Sequence, residues 1–173
     1  MLILAQIIGL LAVALFLISY QQKKRQRIIV CNALSRILYI LQYVMLGAFE
    51  GAVLDILGTI SSFMAHNKGK GIIKKHTRLM FIIINLMFVA AGVLLYKNIF
   101  SLCALIGVML HTIAFWITDE KIIRRVSFLG SPFWLIFNLT NAAYGSAVGD
   151  FLSMLSIGIA IYRYDIKGAK GNV

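Results

Sequence analysis

Long apolar runs alternate with short polar breaks along the whole chain. The runs fall at about residues 2–20, 28–46, 50–65, 77–96, 99–117, 126–144 and 147–163. Each is near the roughly 20 residues that a bilayer-crossing helix takes. The pattern predicts an all-α integral membrane protein with seven transmembrane helices. Two of the breaks are very short, Gly47-Ala48-Phe49-Glu50-Gly51 and the stretch from Gly145 to Asp150. Hydropathy alone would allow each flanking pair of runs to fuse into one long helix.

Composition supports a membrane solvent. Of 173 residues, 61% are hydrophobic and 13% charged, against roughly a quarter charged in soluble domains. Seven spans would occupy about 140 positions and leave about 33 for loops and tails, too few for an extramembrane domain. A single Pro and 14 Gly exclude a collagen-like chain, which needs about one-third Gly.

Charge placement resolves the fusion question and supplies an orientation. Lys and Arg total 17 against six acids. The bases cluster between apolar runs: Lys23, Lys24, Arg25 and Arg27; Lys68, Lys70, Lys74, Lys75 and Arg78; Lys121, Arg124 and Arg125; Arg163, Lys167 and Lys170. Lys and Arg mark loops retained in the cytoplasm. With seven spans every basic cluster falls on one side, and the other side holds Lys97 with Glu50 and Asp150. Fusing either pair would strand a basic segment on the wrong face. The expected topology is N-out, C-in. Basic residues do not interleave with aromatics as base-stacking surfaces require, so nucleic acid is not an expected partner. The first apolar run is followed rather than preceded by positive charge, the reverse of a signal peptide, and reads as a retained helix. Cys31 and Cys103 fall near opposite faces of the bilayer and read as packing residues rather than a disulfide.

The chain also matches itself. An ungapped displacement of 98 residues lays Leu4–Met64 onto Leu102–Tyr162, pairing Gly9 with Gly107, Lys23 with Lys121, Arg27 with Arg125, Gly47 with Gly145 and Gly51 with Gly149. Three helices per unit is an odd number, so one intervening helix, Leu79 to Tyr96, is needed to set both units the same way up. The expected plan is two parallel three-helix repeats joined by a linker helix, related by an axis along the membrane normal. It divides the chain into repeat 1 (1–66), a basic cytoplasmic loop and linker helix (67–97), repeat 2 (98–165) and a cytoplasmic tail (166–173).

The segment Asn32-Ala-Leu-Ser-Arg36-Ile-Leu-Tyr39-Ile-Leu-Gln42-Tyr43, followed by Gly47-Ala-Phe-Glu-Gly51, and its counterpart Pro132-Phe-Trp134-Leu-Ile-Phe-Asn138 resemble the YgjV family of bacterial inner-membrane proteins. The resemblance covers most of the chain and implies a multi-pass protein of the bacterial cell inner membrane. More distantly the plan is similar to SWEET, PQ-loop and PnuC-type carriers, in which a helix bearing Asn and Trp helps line a central site. That similarity implies a secondary carrier or facilitator. No Pro-Gln pair occurs and the first unit has no proline, a departure from PQ-loop carriers that leaves their hinge absent or replaced.

Polar residues within spans are costly and face a bundle interior or a cavity. In the second span Asn32, Ser35, Arg36, Tyr39 and Tyr43 share one helical stripe; in the sixth, Ser131, Trp134, Asn138 and Asn141 do so. Facing each other across the repeat axis, the stripes would line a polar cavity, with Asn32, Arg36, Tyr39, Trp134, Asn138 and Asn141 as candidate solute-binding residues. The plainer reading of such stripes is interhelical hydrogen bonding, at about 0.6 kcal/mol per contact. Arg36 could grip an anion in bidentate fashion or snorkel to the surface, and the 98-residue match makes Trp134 its counterpart. Asp55 and His111 are candidates for ion or proton coupling. Asp55 could also be the ion-pair partner of Arg36 if depth and lean allow; the plainer accounts are a carboxylate near a turn that reaches interfacial water, and a packing histidine, with Val13 the counterpart of His111. No HExxH, CxxC or phosphate-loop motif occurs, so neither an enzyme nor a metal or cofactor site is expected. The expected partners are the lipid bilayer and a small polar or anionic solute. Monomer and homodimer both remain open, as does a non-transporting scaffold or receptor on the same fold.

Overall fold

The computed structural model describes residues 2–141 and 143–167, which form helices joined by short turns. Lys170 and most of the expected cytoplasmic tail lie outside the described residues. The elements are α1 (Leu2–Tyr20), α2 (Arg25–Leu46), α3 (Phe49–His66), a short α4 (Gly71–Lys75), α5 (Thr77–Leu94), α6 (Ile99–Trp116), α7 (Glu120–Thr140) and α8 (Tyr144–Ala160), the last running into a π-helical turn, Ile161–Lys167. The described residues are thus all-helical, and among them five segments are long and apolar enough to cross a membrane: Ile3–Tyr20, Arg25–Leu46, Thr77–Leu94, Ile99–Trp116 and Tyr144–Ile166. At 18 and 21 residues, α3 and α7 are of similar length. They carry more polar side chains, and most of these are buried within the bundle.

Local chemistry sets the ends. Gly47 closes α2 at φ 73°, a left-handed conformation that glycine adopts without strain, and the Ala48 N–H reaches back to the Tyr43 carbonyl at 2.9 Å. A capping box starts α6, in which Asn98 accepts from the Phe100 and Ser101 amides while Ser101 accepts from the Asn98 amide. Asp119 caps α7 by accepting from the Lys121 and Ile122 amides. The apolar run of the sixth expected span begins near residue 126, yet the helix begins at Glu120, because this cap carries the charged first turn into helix. It also ends earlier, at Thr140. Asn141 is therefore its C-cap rather than a residue of a span interior.

Six helices close a ring in the order α1, α2, α3, α6, α7, α8 and back to α1, and α5 packs outside it against α3 and α6. Only Ile84, Phe88 and Gly92 of α5 are buried. Most of its remaining apolar residues, and outward residues such as Leu10, Leu41 and Leu129, are exposed. Such a surface suits lipid, since each helix satisfies its own backbone.

Corresponding features on the two sides of the ring lie 95 residues apart. Helix α7 starts 95 residues after α2, and α8 starts 95 after α3. Ala48 and Ala143, the residues before α3 and α8, have φ/ψ of −85°/62° and −84°/58°. Their amides donate to Tyr43 and Asn138 carbonyls respectively, both at 2.9 Å. Trp116 Nε1 donates to Ser61 Oγ at 3.0 Å, and Gln21 Nε2 donates to Ser156 Oγ at 2.8 Å, so each bond joins residues 95 positions from those of the other. The 98-residue sequence match is offset from this register by three residues, nearly one helical turn, so it pairs residues on the same faces but at different depths.

The basic end is tied by one arginine. Arg25 Nε donates to the Ile117 carbonyl at 2.8 Å, and its Nη2 donates to Ala65 at 2.8 Å and to Phe115. A cation there complements the partial negative charge at the C-terminal ends of α3 and α6. Lys68 Nζ donates to the Trp116 carbonyl at 2.6 Å; burial, and then the neighbouring Arg25 charge, lower its pKa below the ordinary lysine value. At the other end of the bundle, Lys97 pairs with Glu50 at 3.3 Å.

Candidate functional site

The stripes of α2 and α7 face the interior of the ring. Positions 95 apart meet there level by level. Tyr43 Oη donates to Asn138 Oδ1 at 3.1 Å, a contact between corresponding positions. Phe16 of α1 and His111 of α6, also corresponding, sit with ring centroids 5.7 Å apart. Tyr43 stacks on Tyr39 and on Trp134, with centroids 6.1 and 6.3 Å away.

These groups surround a cavity of about 30 Å³, lined by Arg36, Tyr39, Tyr43, Asp55, Trp134, Asn138 and Asp150 with Phe16 and His111. Buried side chains flank it on two sides. Toward the basic end lies an apolar plug that includes Tyr20, Ile28, Phe115, Ile123 and Ile157, all buried. Within it Ile28 corresponds to Ile123 and Tyr20 to Phe115. At the opposite end Ser146 donates to Gln42 Oε1 at 3.0 Å between two buried side chains.

The cavity holds one strong ion pair. Arg36 Nη1 donates to Asp55 Oδ1 at 2.6 Å, with both side chains buried, and Arg36 Nε donates to Asn32 Oδ1 at 3.1 Å. Gly58 makes room for the guanidinium: a Cβ there would stand 2.3 Å from Arg36 Nη1. Arg36 does not snorkel, and Asp55 does not reach interfacial water; each neutralises the other, as buried charges must. Asp150 is different. Asn138 Nδ2 donates to its Oδ2 at 2.8 Å, and no cationic side chain pairs with it among the described residues.

Of the expected solute-binding residues, the structure brings together Asn32, Arg36, Tyr39, Trp134 and Asn138. Asn141 is exposed at the end of α7, where its amide donates to the Phe137 carbonyl at 2.9 Å. Both expected coupling residues, Asp55 and His111, line the cavity. His111 Nε2 is 2.8 Å from the Ser127 carbonyl, so it packs and lines the site together. The structural register also reassigns the counterparts by 95 residues: Arg36 corresponds to Ser131, Tyr39 to Trp134 and Phe16 to His111. Asp150 escaped the sequence reading, which placed it in a turn. Its signal was its register, six residues into α8, as Asp55 is six residues into α3.

The class follows from the fold and the surface: a helical integral membrane protein whose charged residues are gathered at its ends and in one buried interior site. A family model described as a bacterial inner membrane protein, Imp-YgjV, matches residues 3–167, and the chain belongs to that family. It is a protein of the bacterial inner membrane, and it contacts the lipid bilayer. No curated protein and no solved structure matches the chain.

Proposed function

We propose that the protein is a small secondary carrier or facilitator, not an enzyme, in which α1–α3 and α6–α8 are two parallel copies of one unit and α5 is the linker between them. Seven spans with N-out, C-in topology put the Arg25 and Lys68 end in the cytoplasm. The observation that carries this reading is the polar cavity between corresponding faces of α2 and α7, flanked on each side by buried side chains. A site at the interface between repeats suits alternating access by rocking one half against the other.

Charge narrows the solute. Arg36 is already neutralised by Asp55, so an anion would have to break that pair, and a neutral polar solute fits better than an anionic one. In this reading a cavity of about 30 Å³ describes a state between loadings. Its small size also favours the second reading, a non-transporting scaffold stiffened by a buried polar network.

The deciding experiment is uptake of a labelled metabolite panel into proteoliposomes, with thermal-shift screening to choose the panel. Uptake lost in R36A and N138A supports the carrier. Absence of both binding and uptake across the panel favours the scaffold.

A further inference from the structure

Deepening that reading, and resting on it, we propose that Asp150 is the coupling site of the carrier, binding a proton that crosses with the solute. The chain contains six acidic residues, and five are accounted for. Asp55, Glu50 and Asp165 pair with Arg36, Lys97 and Arg124; Asp119 is exposed and Glu120 half-buried at the basic end. Asp150 alone is buried within the bundle without a cation.

Two further observations point at an occupant. Tyr39, nine-tenths buried, lines the same cavity, and its hydroxyl makes no hydrogen bond to another described residue. Asn138 is oriented by the Tyr43 hydroxyl, so its amide presents a donor to Asp150 Oδ2 and leaves Oδ1 for the cavity. A carboxylate buried in low dielectric with only an amide dipole is costly. A proton removes that cost within the carboxyl group itself, because the neutral acid is the form a buried, cation-free site favours. A proton needs only one carboxylate oxygen. A metal cation needs a cage of several oxygens, and Asp55 Oδ1 and Asn138 Oδ1 are already engaged.

The groups facing Asp150 from its neighbours are Asn138 on α7, Arg36, Tyr39 and Tyr43 on α2, Asp55 on α3 and His111 on α6; α1 contributes Phe16. Arg36 is held by Asp55 and His111 by the Ser127 carbonyl, so neither supplies the missing charge. The step is a proton transfer alone. In the closed state the O–H of the Asp150 carboxyl is intact. When the cavity opens to one side, that bond breaks, the proton passes to water as hydronium, and the carboxylate remains for reloading from the other side.

The test is infrared titration of the full chain in phosphatidylethanolamine/phosphatidylglycerol vesicles, in H₂O and D₂O. The expected result is one carboxylic-acid carbonyl band, insensitive to exchange of choline for sodium, lost in D150N, shifted but present in D150E and kept in R36L/D55L, which removes the neighbouring cation together with its partner. D150E preserves the acid should D150N fold poorly. A band that survives D150N, or that sodium removes, overturns the proposal, as does its absence from the parent protein. The readout needs no solute: the band with no solute moved defeats the carrier reading alone, and solute movement without the band defeats the proton site alone.

Discussion

Asp55 and Asp150 stand at the same depth of corresponding helices and line one cavity, yet only Asp55 has an arginine against it, at 2.6 Å. The interior is therefore near-symmetric in shape and asymmetric in charge. In the first half a buried ion pair links α2 to α3; in the second half an amide does the same between α7 and α8.

Breaking the ion pair from one side leaves a charge buried alone. R36A and D55A should each lower stability by about 3–5 kcal/mol, whereas the apolar double substitution R36L/D55L should recover most of that loss. Thermal unfolding in detergent measures all three. Equal losses in single and double variants would show that the pair is not sealed from water.

The two glycines that sequence alignment pairs should respond differently. Gly47 has φ 73° and open space around it, so G47A should cost about 1–2 kcal/mol from backbone strain. Gly145 sits in the first turn of α8 facing the end of the flexible Gln6 side chain, so G145A should cost little. Similar losses in both would favour the 98-residue register.

Helices α1 and α8 approach closely at Gly149, where a Cβ would stand 2.2 Å from Val13 Cγ2. G149A should destabilise by about 1–3 kcal/mol through overpacking, and V13A in the same chain should restore much of it. The check is the melting temperature of the single and double variants.

Orientation is open to labelling. On a background without Cys31 and Cys103, F49C and I72C place thiols at exposed positions at opposite ends of the bundle. A membrane-impermeant reagent added to the periplasmic side should tag F49C and spare I72C. The reverse pattern would invert the topology.

Much of the architecture was legible along the chain because each helix advertises its solvent. The runs at 2–20 and 99–117 nearly coincide with α1 and α6, since neither carries a charge to blur its ends. The start of α7 was not legible, because hydropathy reads Lys121, Arg124 and Arg125 as loop while Asp119 caps them into helix. The site was half legible: the stripe from Asn32 to Tyr43 showed its face through i, i+3 and i+4 spacing. Asp150 did not, because its depth depends on where α8 begins.

The sequence alone determined the solvent, the family, the basic end and the inward faces of α2 and α7, because hydropathy, charge and helical period are properties of neighbours along the chain. Tertiary structure decided the register. Packing sets corresponding levels 95 residues apart, puts Arg36 on Asp55, makes Trp134 the counterpart of Tyr39, and leaves Asp150 without a cation. Those outcomes depend on helix depth and lean, which are fixed only when distant segments meet.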